Sequence, residues 1–214
     1  MSGGRPRPLL IRTCRAVGGA TARALFSVQT DGVANVPVAG PVLLAGNHSG
    51  FVDGPLLFAL APRPTALLAK QEIFLGPLDR MFRALDQIPV RRGTPDRSAL
   101  RAGLDHLAAG GVLGVFPEGT RGSGAFDEIA EGLAYLAVRS GAPVVPVAMI
   151  GTKAAWNRGA SLPKLRAPVR VVFGAPVTLS VPGDPRARRT VSLAAEQLRA
   201  ALVDHLRATT KESA

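Results

Sequence analysis

The feature that most constrains this chain is the alternation that begins at Pro41, where short apolar runs and amphipathic segments take turns, separated by Gly, Pro and Asn. Residues 42–45 form an apolar run that stops at Gly46-Asn47, which predicts a buried strand. The same reasoning predicts strands over 66–69, 112–116, 144–150 and 169–173, with a short extended piece at 88–90. Helices are predicted over 55–60, 77–85, 127–139 and 190–206. A further helix should run to Ala109, with Thr94 as its cap, Pro95 at its first position, and Gly110-Gly111 as its stop. Strands alternating with helices imply an α/β domain, in which helices flank a mostly parallel or mixed sheet and ligands sit beyond the strand ends. A chain of 214 residues suffices for one such domain with a sizeable core.

Ahead of this pattern, residues 9–27 read as a helix. On a helical wheel Leu10, Cys14, Val17, Thr21 and Leu25 share one face, and Arg12, Arg15 and Arg23 share the opposite one. Such a helix either lies in a membrane interface or packs on the domain's own core. The chain therefore divides into a basic tail and amphipathic helix, 1–30, and the α/β domain, 31–214.

The formal net charge is +11, with 22 arginines against 4 lysines. A surplus of this size suits a polyanion: nucleic acid, an anionic membrane surface or a phosphate-bearing substrate. Between Gly132 and Gly183 there are six basic residues and no acidic one, so this part is expected to face something anionic. Nucleic acid is disfavoured, because the arginines are scattered and no aromatic platform accompanies them. Cys14 stands alone and permits no disulfide. No stretch approaches the roughly 20 apolar residues of a spanning helix, and no signal-peptide pattern opens the chain. The expectation is a protein with no transmembrane helix, peripheral on the cytoplasmic side of a membrane.

The chemistry is concentrated in two segments. In Gly46-Asn47-His48-Ser49-Gly50-Phe51-Val52-Asp53-Gly54-Pro55, a histidine and an aspartate lie five apart directly after a buried strand. On a continuous helix they would be about 140° apart, but at a strand-to-helix junction they can meet. There the aspartate can orient the imidazole and make His48 a general base. Asp53 reads equally as a helix N-cap. The second segment, Phe116-Pro117-Glu118-Gly119-Thr120-Arg121, again follows a strand and offers backbone N–H groups, a hydroxyl and an arginine suited to phosphate.

Together the segments closely resemble the glycerolipid acyltransferase family that includes 1-acylglycerol-3-phosphate acyltransferase. They correspond to its first and third sequence blocks. Ile88-Pro89-Val90-Arg91-Arg92 looks like the second block, residues 144–149 like the fourth, and residues 69–74 like the segment between the first two. The resemblance runs from about Asn35 to Phe173.

It implies that His48 removes the acceptor hydroxyl's proton and that Asp53 orients His48. Arg121 would bind the acceptor phosphate, helped by Lys70 and Arg91, while Glu118, Gly119 and Thr120 shape the acceptor pocket. Pro146 would be structural. No metal or other cofactor is implied, and acyl-CoA or acyl carrier protein enters as co-substrate. The implied reaction moves a fatty acyl group onto the free hydroxyl of 1-acyl-glycerol-3-phosphate, giving phosphatidic acid. The partners implied are a lysophospholipid acceptor, an acyl-thioester donor and an anionic membrane surface, with no nucleic acid.

The chain departs from the family at Asp86-Gln87 and at Phe126-Asp127-Glu128 with Glu131-Gly132. These departures leave open another lysolipid, glycerol-3-phosphate or a glycolipid as acceptor, and a thioesterase or other hydrolase remains a further alternative. Backbone N–H groups near Gly50 or Gly119 are candidates to stabilise the oxyanion. His106 and His205 read as flank residues of helices.

Overall fold

The computed structural model describes residues 8–91, 96–118, 125–126, 131–156, 160–180 and 183–211. Seven strands form one sheet: β1 (Ser27–Asp31), β2 (Val42–Gly46), β3 (Thr65–Lys70), β4 (Ile88–Val90), β5 (Val112–Val115), β6 (Val144–Ile150) and β7 (Pro168–Phe173), in the order β1-β7-β6-β2-β5-β3-β4. All neighbours are parallel except β6 and β7. The helices are α1 (Pro8–Leu25), α2 (Asp53–Leu60), α3 (Pro77–Ala84), α4 (Arg97–Ala108), α5 (Glu131–Ser140), α6 (Thr152–Ala155) and α7 (Arg188–Lys211). This is the α/β architecture that the alternation predicts.

β2 is central, and every one of its residues is buried. Its side chains alternate between two cores, as the two-residue period of a strand requires. Val42 and Leu44 join the cluster under α1 and α2, with Val145, Val147 and Phe173. Leu43 and Ala45 join the cluster under α4, α5 and α7, with Leu113, Leu136 and Leu198. The sheet is therefore the middle of three layers. Burying one such leucine contributes about 1.5–3 kcal/mol.

The N-terminal segment differs from its wheel. Ile11, Gly19 and Ala22 are buried, whereas Val17 is 60% exposed and Leu10 also reaches solvent. Instead of facing away, Arg15 turns inward, and its guanidinium donates to Phe58 O and Ala61 O at the end of α2. Those carbonyls have no partner within the helix, so a cation there satisfies both hydrogen bonding and dipole. Gly18 permits the approach, since a Cβ on it would stand 3.2 Å from that of Ala59.

After α1 the chain does not run on as a tail. Residues 27–31 form β1, paired in parallel with β7, so the division at residues 30 and 31 falls inside a strand. Arg170 fixes this edge with a 2.6 Å hydrogen bond from Nε to Asp31 Oδ2.

The helix expected to start at Thr94-Pro95 is capped instead by Asp96, which accepts from the Ser98 and Ala99 N–H groups; Thr94 and Pro95 lie outside the described residues. The helix expected over 127–139 is described from Glu131 onward.

Candidate active site

β2 and β5 are paired in parallel, with Val42 opposite Val112 and Ala45 opposite Val115. Their carboxyl ends therefore emerge side by side, and the two motif segments, 70 residues apart in sequence, meet there. His48 leaves β2 and is only 6% exposed. Its Nδ1 lies 2.8 Å from Asp53 Oδ2. That same oxygen accepts from the Ser49 and Gly50 N–H groups, each at 2.8 Å. With two obligate donors already on it, Oδ2 acts as an acceptor, so Nδ1 is the donor. The ring is thereby held with its Nε2 lone pair available to take a proton.

Asp53 itself is fully buried. It is the first residue of α2, and the cap position belongs to Val52. The capping role open to Asp53 is thus set aside: its carboxylate gathers the turn of residues 48–50 rather than the helix's own N–H groups. Among the described residues, its Oδ1 is the one buried side-chain polar atom without a hydrogen-bond partner. A buried carboxylate balanced on one oxygen only remains available to stabilise positive charge on the imidazole.

The second segment reaches His48 twice. Glu118 Oε1 accepts from the His48 N–H at 3.2 Å. Phe116 stacks on the imidazole with centroids 4.6 Å apart and 30° between planes. The first contact makes Glu118 a support for the histidine's backbone, beside the acceptor-pocket role the resemblance implied. The second assigns Phe116 a place that the sequence did not signal.

Two further supports come from β6 and α6. Asn47 Nδ2 donates to Met149 O at 3.1 Å, and Met149 N–H donates to Asn47 Oδ1 at 2.7 Å, both buried. This closed pair locks the residue before His48 to the neighbouring strand. Ser49 Oγ lies 3.3 Å from Thr152 Oγ1. Gly50 is pressed so closely on Thr152 that a Cβ on it would fall 2.7 Å from that residue's carbonyl carbon.

A model of the acyltransferase family matches residues 27–150, which span this whole arrangement. The chain belongs to the acyltransferase family. It is 30% identical over 167 residues to a 1-acyl-sn-glycerol-3-phosphate acyltransferase of Cocos nucifera, covering 75% of this chain and 52% of that one. To the protein of the same name from Bacillus subtilis (strain 168) it is 30% identical over 119 residues, covering 55% of this chain and 59% of that one. The chain thus spans little more than half the length of these curated relatives. The solved structure of the 1-acyl-sn-glycerophosphate (LPA) acyltransferase PlsC from Thermotoga maritima has the same fold. Its TM-score is 0.67 at 24% identity, over 92% of this chain and 80% of that one.

Lys70 and Arg91 fall at the same end of the sheet as His48. Lys70 ends β3, the strand beyond β5, and its Nζ lies 3.3 Å from Glu72 Oε1. Arg91 follows β4, one strand further, and borders a cleft of about 250 Å³ with Gln71, Phe74 and Arg83. Its backbone N–H and Nε both reach Asp96 Oδ2. Neither cation contacts His48 directly. Gly119, Thr120 and Arg121 lie outside the described residues. Pro146 is buried in β6 opposite Ala45.

His106 and His205 each set a ring nitrogen against a strand carbonyl. His106 Nδ1 lies 3.0 Å from Asp86 Oδ2 and its Nε2 lies 3.1 Å from Val112 O, while His205 Nε2 lies 3.1 Å from Val172 O.

Proposed function

We propose that this chain is an O-acyltransferase that moves a fatty acyl group from an acyl thioester to the free hydroxyl of 1-acyl-glycerol-3-phosphate, giving phosphatidic acid. The observation that carries the reading is the buried His48–Asp53 pair, joined by Glu118 and Phe116 at the carboxyl edge of the sheet. The names of the relatives point to the same acceptor.

In this mechanism His48 Nε2 takes the proton of the acceptor hydroxyl as that oxygen attacks the thioester carbonyl carbon. Asp53 stabilises the imidazolium. The tetrahedral intermediate then collapses, the carbon–sulfur bond breaks, and His48 returns the proton to the leaving thiolate, leaving ester and thiol. The N–H groups of residues 48, 49 and 50 are already committed to Glu118 and Asp53. The oxyanion's donors therefore come from outside this turn, and Gly50 is set aside for that role.

Arg121, Lys70 and Arg91 would hold the acceptor phosphate, with Gly119 and Thr120 shaping the pocket. Catalysis by the pair needs no added cofactor, with acyl-CoA or acyl carrier protein as donor. The protein would work as a peripheral protein on the cytoplasmic face of an anionic membrane. Among the described residues no helix is long and apolar enough to cross a membrane.

The test is thiol release from acyl-CoA, and from acylated carrier protein, with and without lysophosphatidic acid. Acceptor-dependent release is expected, falling about 10²–10⁴-fold in His48→Ala. Release that ignores the acceptor would assign a thioesterase instead.

A further inference from the structure

We propose that Phe51, Trp156 and the loop of residues 160–166 form the surface by which this chain docks on an anionic lipid bilayer, bringing the His48 end of the sheet to the lipid. The proposal rests on the lipid-acceptor reading above and names the surface that serves it.

Leu162 is 79% exposed, Leu165 is 66% exposed and Phe51 is 49% exposed. Single apolar residues at a surface are ordinary, but these are connected. The Phe51 ring lies 5.6 Å from that of Trp156. The Trp156 Nε1–H donates to Ala160 O at 3.1 Å, at the root of the loop that carries both leucines.

Backbone hydrogen bonds hold the part of the loop on either side of Leu165. Lys164 N–H donates to Ala155 O, Arg166 N–H donates to Leu25 O, and Ala167 N–H donates to Lys164 O. The loop is thus tied to α6 at one point and to the end of α1 at another. Two exposed leucines on a loop tied at these points leave an apolar surface for a partner.

The surrounding charge selects the partner. Lys153, Lys164 and Arg166, which neighbour Trp156 and the two leucines in sequence, are exposed, and the sequence from Gly132 to Gly183 holds no acidic residue. Exposed apolar side chains accompanied by exposed cations, with an indole among them, match the junction between hydrocarbon and anionic headgroups. Position agrees with chemistry. β2 and β6 are parallel neighbours, so α6 and its loop leave the sheet at the end where His48 stands. Phe51 follows His48 by three residues in the same turn.

The experiment is co-sedimentation of the full chain with phosphatidylcholine vesicles and with vesicles in which phosphatidylglycerol replaces part of that lipid. Wild type should partition onto the anionic vesicles. The double variant Leu162→Asp with Leu165→Asp should lose about tenfold or more of that partitioning, while melting at the wild-type temperature. Lys153→Glu with Lys164→Glu should lose the preference for anionic over neutral vesicles. Wild type that ignores both vesicles, or a leucine variant that binds as well as wild type because α1 alone carries binding, would overturn the proposal. Binding is read without turnover. Leucine-dependent binding in a chain that transfers no acyl group would therefore sink the lipid-acceptor reading and leave the docking surface standing.

Discussion

At the scale of single residues the site is governed by one oxygen. Asp53 Oδ2 collects the imidazole and two backbone N–H groups, so anything that shifts the turn shifts the base. Gly50 is the tightest point of that turn. Any side chain there meets the backbone of Thr152 as well as its hydroxyl, and a backbone atom cannot rotate away. Gly50→Ala is expected to push residue 50 off Thr152, stretching the N–H bond to Asp53. Overpacking of this kind costs about 1–3 kcal/mol. Melting should fall accordingly, and kcat should fall more than KM rises, because the base is displaced while Lys70 and Arg91, proposed to hold the acceptor phosphate, leave other strands. Unchanged melting and unchanged kcat together would show that the turn tolerates movement. The His48–Asp53 pair was legible in the sequence because both residues fall within one strand-to-turn-to-helix junction. Asn47 with Met149, and Ser49 with Thr152, were not. Their partners are 102 and 103 residues away, and only the pairing of β2 with β6 brings them together.

At the scale of elements the same division holds. β2, β5 and β6 were legible because they are apolar throughout and bounded by turn residues. β1, with the sequence Ser-Val-Gln-Thr-Asp, was not, since its single apolar residue gives no period and its place depends wholly on β7. The start of α4 was misplaced because Thr94-Pro95 and Asp96 are all good beginnings. The deciding contact is non-helical: Asp96 Oδ2 accepts from the Arg91 N–H at 3.0 Å while Oδ1 caps the helix. Asp96 therefore fastens the exit of β4 to the entry of α4. The Ser98 hydroxyl first, then the Arg91 N–H, hold its carboxyl well below the usual carboxylate range. A carboxyl depressed in the folded state stabilises the fold above its unfolded value, near 4, and loses that contribution as pH falls toward the folded value. Asp96→Ala should thus cost about 1 kcal/mol at neutral pH. Denaturant titrations should show the gap from wild type narrowing progressively below about pH 4. A gap that stays constant into acid would mean that shape, not charge, makes the cap.

At the scale of the whole molecule, part of the excess positive charge is engaged in contacts within the chain. Arg15 holds the end of α2, Arg63 donates to Pro37 O, Gly40 O and Gly110 O, and Arg170 fastens β1 to β7. These arginines are fasteners, and the share left for anionic partners is smaller than +11 suggests. The N-terminal segment is built in likewise. Ile11, Ala22 and Phe26 are buried, α1 lies against α2, and β1 covers the outer edge of β7. We expect a chain beginning at residue 31 to expose that edge together with the apolar face of α2. Unpaired strand edges and large apolar faces promote association. On size-exclusion chromatography such a chain should run as aggregate, or melt well below the full chain. A monomer with full-length melting would show instead that residues 31–214 fold alone, and that α1 is free to serve only as a membrane helix. Aggregation would mean that deleting α1 removes structural support together with any lipid contact, so that point substitutions on its outward residues Leu9, Leu10 and Val17 are the way to measure what that helix adds at a bilayer.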